Sequence, residues 1–349
     1  MSNRNIGTKI LRVTFGCVAL LALVAADAPP NPHQSVRASL DKSRAQLVDH
    51  FADVTARGGS PAELLARIDA DLSAVGQLDA NAAASDWETV TLQAQLDESL
   101  VQQLVSGTYV QASDVRGAGS LVVPASADKT SQFLALYFPK SYDPTRQVPL
   151  IIMLHGQGQT ESELLATPFL RALADQSGAI FAAPFARGDQ EFDNTVASTD
   201  VYDALDLLEK SISIDRRRVY LAGFSMGGFA IFTVAPIHPE RWSALLAIAG
   251  TLTNSDKQNV VRAMVGKRVF LVIGTDDPHL KAEYVRGATA FLSANGVDGR
   301  YYEQPRGLHS LPSLQPAVER AWRDMFSGVR NVAPDFDIPS PQPTSSRRT

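Results

Sequence analysis

Val219-Tyr220-Leu221-Ala222-Gly223-Phe224-Ser225-Met226-Gly227-Gly228-Phe229-Ala230-Ile231-Phe232 is the stretch on which the reading of this chain turns. A strand-compatible apolar run enters it and a helix-compatible run leaves it, with Gly-x-Ser-x-Gly between them. A strand passing directly into a helix needs a turn too tight for side chains on either side of the central serine. Gly223 and Gly227 remove those Cβ atoms, and the Ser225 hydroxyl is left standing at the sheet edge. The plainer alternative is a glycine-rich turn with an idle serine. The flanking strand and helix favour a nucleophile.

On both sides of that turn, strand-like and helix-like runs alternate. Strands are expected at 121–123, 133–138, 149–154, 179–183, 219–222, 244–249, 269–273 and 300–303. Helices are expected after Thr160-Glu161-Ser162-Glu163, a capping box, and near 200–213, 226–237, 280–294 and 314–326. Such alternation argues an α/β domain over residues 108–329 with a mostly parallel sheet flanked by helices. The connections are short, so no large lid is inserted. The loop from Phe185 to Thr199 is a candidate substrate wall.

A serine hydroxyl needs a base to take its proton and a third group to orient that base. Of the six histidines, His33 falls in a proline-rich linker, His50 in a helical stretch, and His238 before Pro239. His279 is too near the acidic pair in sequence, and His155 belongs to a separate glycine motif. His309, in the loop Gly307-Leu308-His309-Ser310 after the last strand, remains as the base. The acid lies in Gly274-Thr275-Asp276-Asp277-Pro278, just past a strand end. Residue chemistry alone leaves Asp276 and Asp277 open, because turn-forming aspartates are common there. His155-Gly156-Gln157-Gly158 follows the strand ending at Leu154, where a glycine loop can aim N–H groups at a substrate oxygen. Its donor is expected to be Gln157, with Gly156 second, and the other donor is Met226 at a helix N-terminus. No phosphate-binding glycine loop, His-Glu-x-x-His or dinucleotide fingerprint is present, and no cofactor or metal is expected.

The first residues read as an export signal: Arg4, Lys9 and Arg12, an apolar run from Val13 to Ala26, and small residues before Asp27. The expected location is therefore periplasmic or secreted, with no membrane span after cleavage. Cys17, the only cysteine, lies inside that signal and leaves a thiol-free mature chain. Residues 27–107 read as a linker and three one-sided helices. Val36, Leu40, Leu47, Phe51 and Val54 share a stripe, and capping boxes start at Ser60 and Ser85. Residues 330–349 read as a disordered tail rich in proline and serine. The 349 residues are 45% hydrophobic and 20% charged with net charge −5, a globular composition without the basic surplus that nucleic acid or an anionic membrane would demand.

From about Tyr109 to Phe326 the chain resembles the α/β-hydrolase superfamily. The likeness is to the secreted esterase branch near feruloyl and acetylxylan esterases, polyhydroxybutyrate depolymerases and prolyl-oligopeptidase-like peptidases. The stretches that carry it are 136–144 (LYFPKSYDP), 149–156 (PLIIMLHG), 214–228 (IDRRRVYLAGFSMGG) and 238–242 (HPERW). The resemblance implies an α/β-hydrolase fold for that stretch; residues 27–107 fall outside it and stand as an N-terminal helical extension. The resemblance assigns the acid to Asp277, from Gly-x-x-Asp-Pro, and matches His309 to the late-loop histidine. The expected function is an exported serine hydrolase that cleaves carboxylic esters, small or polymeric, through an acyl-enzyme. Its rivals are a prolyl-oligopeptidase-like peptidase and a binding protein with a vestigial site. Oligomeric state is left open.

Overall fold

The computed structural model describes residues 32–78, 82–187, 192, 195–255 and 257–327. The expected export signal and C-terminal tail lie outside them. In chain order the described elements begin with four helices: α1 (Pro32–Asp49), α2 (Phe51–Ala56), α3 (Pro61–Gln77) and α4 (Ala84–Ser106). Then come β1 (Ala118–Pro124), β2 (Ser131–Tyr137), β3 (Val148–Leu154), α5 (Glu161–Ala166), α6 (Pro168–Ser177) and β4 (Ile180–Pro184). They are followed by α7 (Thr195–Ser211), β5 (Ile214–Phe224), α8 (Met226–Val234), β6 (Ala244–Ile248), α9 (Lys257–Met264) and β7 (Arg268–Gly274). The last are α10 (Ala282–Ala294), β8 (Asp298–Gln304) and α11 (Leu311–Phe326).

The strands form one sheet in the order β1-β2-β4-β3-β5-β6-β7-β8. From β4 to β8 every pairing is parallel, and β1 and β2 add antiparallel pairings at one edge. The sheet is therefore mostly parallel, as the alternation of runs implies. Strands β3 and β4 are buried at every position because helices cover both faces, so their sequences are continuous apolar runs rather than alternating ones. The edge strand β8 is half-buried throughout, which suits its Arg-Tyr-Tyr-Glu composition.

The N-terminal helices are packed onto this sheet. On β1, Leu121 and Val123 point into the main core while Val122 points into a second core; on β2, Leu134 and Leu136 divide from Phe133 in the same way. This is the two-residue period of a strand apolar on both faces. The second core is built from Val36, Leu40 and Leu47 of α1, Leu64 and Ile68 of α3, and Leu100 and Leu104 of α4, and it closes over Phe133 and Phe185. Gln103 of α4 adds a polar tie, donating to the Ser120 carbonyl at 2.9 Å and accepting from Val110 N–H at 3.1 Å.

Several local expectations differ from the structure. The predicted three helices are four, because the first stretch breaks at His50. The break turns Phe51 out of the apolar stripe to 39% exposure, while Val54 stays buried. His33 lies inside α1 rather than in a linker, its ring 5.9 Å from Trp87. Ser60 does not cap α3; its hydroxyl donates to the Ser131 carbonyl at 2.9 Å, joining helix to sheet. The helix expected to be capped by Ser85 starts earlier, and Asp86 accepts the Ala83 N–H at 3.2 Å. The cap at Thr160 is formed as expected, on Glu163 N–H at 3.2 Å. Helix α9 is not anticipated by the sequence reading.

Candidate active site

Three strand ends converge at the C-terminal edge of the parallel run. Ser225 follows β5 and sits at φ 50°, ψ −115°, a left-handed backbone that a non-glycine residue holds only when its surroundings fix it. Here Ser225 N–H donates to the Ile248 carbonyl at 2.9 Å and Gly227 N–H to the His155 carbonyl at 3.1 Å. A Cβ on Gly223 would overlap the Gly227 carbonyl, and one on Gly227 would overlap that of Leu154. Both glycines are thus required by close backbone approach, as the motif implies.

Asp277 follows β7 and His309 follows β8. The loops carrying them are stitched together: Thr275 N–H donates to the Gln304 carbonyl at 3.0 Å and Asp276 N–H to that of Gly307 at 3.1 Å. Gly274 lets these backbones meet, since a Cβ there would overlap the Gly307 carbonyl. Across this junction His309 Nδ1 lies 2.7 Å from Asp277 Oδ2, and His309 Nε2 lies 2.7 Å from Ser225 Oγ. The Asp277 side chain is fully shielded from solvent, and its other oxygen accepts the N–H groups of His279 and Leu280 at 2.8 and 2.9 Å. Asp276 is exposed and, among the described residues, accepts only the Thr275 hydroxyl, at 2.9 Å. The pair that sequence chemistry left open is therefore separated by geometry: Asp277 faces the histidine. The imidazole is held between the rings of Phe224 and His279, at 5.5 and 5.0 Å.

Of the two expected N–H donors, Met226 follows the serine directly, and Gln157 lies in the loop whose His155 carbonyl accepts the Gly227 N–H. Met226 is the first residue of α8, so its N–H lacks an intrahelical acceptor and lies at the positive end of the helix dipole. Among the described residues, neither Met226 N–H nor Gln157 N–H has a protein acceptor. Gly156 N–H is engaged, donating to Gln159 Oε1 at 3.1 Å. His155 is wholly buried, with ring nitrogens 2.8 and 2.9 Å from the Gly156 and Phe185 carbonyls, and acts as a strut behind the loop.

Of the expected substrate wall, Phe185 and Phe192 face inward, and the residues from Thr195 on belong to α7 rather than to a loop. Phe185 packs on Phe133 in the second core at 5.4 Å, and Phe192 packs on His155 at 5.1 Å. Residues 188–191 and 193–194 of that loop lie outside the described ones. Sequence reasoning also missed a buried ionic cluster beside the glycine loop. Arg67 of α3 pairs with Asp97 of α4 and with Glu161, the first residue of α5, and all three are buried. Its signal was present: Leu64, Arg67, Ile68 and Asp71 fall at helical spacing, so two charged residues stand on an apolar stripe. Among the described residues, no cluster of side chains could hold a metal ion and no helix is long and apolar enough to cross a membrane.

Comparison with known proteins gives the same architecture a lineage. A bifunctional acetylxylan esterase/xylanase of Neocallimastix patriciarum is 29% identical over 160 residues, which are 44% of this chain and 22% of that protein. The probable feruloyl esterase C of Aspergillus terreus is 26% identical over 179 residues, 49% of this chain and 64% of that one. The matched stretch thus spans less than two thirds of either relative. Among solved structures, the substrate-bound fluorophosphonate-binding serine hydrolase F of Staphylococcus aureus superposes with a TM-score of 0.53 at 14% identity, over 60% of this chain and 99% of its own. A ferulic acid esterase gives 0.51 at 17% identity, over 60% and 98%. These two likenesses establish the fold. The model of the alpha/beta hydrolase family matches residues 151–348, more than half of the 349 residues, and the chain belongs to that family.

Proposed function

We propose that this protein is a serine esterase that cleaves a carboxylic ester through an acyl-enzyme. The observation that carries the reading is the continuous relay of two 2.7 Å contacts from Ser225 Oγ through the His309 ring to Asp277. Ser225 Oγ attacks the ester carbonyl as its proton passes to His309 Nε2. The negative charge that develops on the carbonyl oxygen is received by the N–H groups of Met226 and Gln157, each such donor being worth about 2.7–4 kcal/mol in other hydrolases. His309 returns the proton to the departing alkoxide, and the alcohol leaves. Water, deprotonated by the same nitrogen, then attacks the acyl-serine and releases the acid. Asp277 fixes the tautomer that leaves Nε2 free to accept, and stabilises the imidazolium.

Ester rather than amide cleavage is supported by the names of the two relatives, which act on acetyl and feruloyl esters by those names. We extend that substrate class to this chain, and we infer export from the character of residues 1–26. The test is fluorophosphonate labelling with turnover of p-nitrophenyl acetate, feruloyl and hydroxybutyrate esters. Wild type is expected to label and turn over, and Ser225→Ala to lose on the order of 10⁶ in kcat. Absence of labelling in folded wild type would end the enzyme reading. Turnover of a peptide anilide faster than of every ester would move it to a peptidase.

A further inference from the structure

The glycine loop 155–159 is short, and what holds each of its ends differs. Its first residue is fastened to the serine turn, through Gly227 N–H on the His155 carbonyl at 3.1 Å. Its last residues run into α5, a helix of six residues. So short a helix has little stability of its own and takes its position from what it packs against. What it packs against includes α4, and at its first residue the tie to the N-terminal helices is ionic: Glu161 is fully buried and paired with Arg67 of α3, which pairs in turn with Asp97 of α4. Glu161 stands two positions after Gln159, whose side chain holds Gly156 N–H, and four after Gln157. The N-terminal helices reach the loop by a second path as well, since Phe185 lies in their core and its carbonyl sits 2.9 Å from His155 Nε2.

We propose that Arg67 and Glu161 are positioning residues for the oxyanion loop: the N-terminal helices set the placement of Gln157 N–H through this buried ion pair. The inference rests on the reading of Met226 and Gln157 as oxyanion donors. The physical reason is directional. Arg67 Nη1 donates to Glu161 Oε1 while Nη2 lies against Asp97, so one rigid planar group ties the start of α5 to α3 and α4 together. An apolar contact at the same place would leave the helix free to slide. A displacement of about 1 Å in a catalytic donor is enough to cost about 100-fold in rate. This gives the N-terminal helices a catalytic consequence without any contact between them and substrate.

The test compares Glu161→Gln, Arg67→Met and Asp97→Asn in the full chain, with kcat expressed per fluorophosphonate-titrated site so that unfolded protein does not count. Asp97 touches Arg67 from α4 and does not touch the loop, so its variant reports the stability of the cluster alone. Expected are a fall in kcat of about tenfold or more for Glu161→Gln and Arg67→Met, KM within about twofold, and a parallel loss of affinity for a boronate transition-state analogue. Asp97→Asn is expected to keep kcat within about twofold while lowering the melting temperature. Unchanged kcat per site in Glu161→Gln, or an equal loss in Asp97→Asn, would overturn the proposal. Wild type that neither labels nor turns over would instead overturn the esterase reading beneath it, so the two failures are distinguishable.

Discussion

Asp277 accepts hydrogen bonds on both oxygens, two from backbone N–H groups and one from His309, while its neighbour Asp276 stands in water. An asparagine at 277 would keep the shape. Its Oδ1 would still take the N–H groups of His279 and Leu280, so its amide nitrogen would face His309 Nδ1. That nitrogen can only donate, and it would force the imidazole proton onto Nε2, where it is needed least. Asp277→Asn is therefore expected to lose on the order of 10⁴ in kcat with little change in KM, and Asp276→Asn to stay near wild type. Steady-state kinetics on p-nitrophenyl acetate decide it, and the reverse ranking would reassign the acid. Ser225 and His309 were legible because their motif and chain order are local properties. The choice between the aspartates was not, because it depends on which of two adjacent side chains the backbone turns inward. Only the resemblance of Gly-x-x-Asp-Pro to a known family pointed to Asp277. The glycines carry a similar lesson: Gly223→Ala would drive a Cβ into the Gly227 carbonyl. A loss of about 3 kcal/mol or more in urea denaturation is expected, since neither backbone can move without moving Ser225.

Helices α3, α4 and α5 meet around one buried cation. Arg67 and Asp71 come from α3, Asp97 from α4, and Glu161 and Glu163 from α5, with His155 close enough to influence Glu161. Four carboxyls share a single guanidinium, and burial pushes all four above the usual carboxylate range, Asp97 most clearly. In the unfolded chain these groups ionise near about 4. Below that pH both states are protonated and the contribution of the cluster to stability is complete. As pH rises past about 4 the unfolded chain releases protons that the folded cluster keeps, and stability falls until the raised folded values are passed. Asp97→Asn removes the group raised furthest. Urea midpoints measured from pH 4 to pH 8 are expected to fall more with rising pH in wild type than in this variant. Equal slopes would show that Asp97 is ionised in the folded protein. At this scale the sequence was partly legible. Apolar stripes located the helices, whereas the cluster depends on three helices meeting, which no single stripe records.

For the whole molecule, the alternation of runs disclosed the parallel sheet, and the convergence of Ser225, Asp277 and His309 follows from strand order once that sheet exists. The relation of α1–α4 to it was not legible, because a helix with one apolar side does not say which surface that side meets. The strands held the missing half of the information. Val122 and Phe133 are apolar on the face turned away from the main core, and an uncovered sheet face would carry polar residues there. Their burial at 6% and 1% depends on α1, α3 and α4. Removing residues 32–107 would bare Val122, Phe133 and Phe185 together and leave α5 without Arg67. Exposed contiguous apolar surface of this kind drives association. The truncated chain is accordingly expected to be recovered mainly as aggregate. Any soluble fraction should show a lowered melting temperature and a kcat per titrated site below that of the full chain. Gel filtration and active-site titration measure both quantities. A monomeric truncated protein with the full chain's kcat would mean that the helices are an accessory layer, neither part of the fold's core nor a support for the loop beside Ser225.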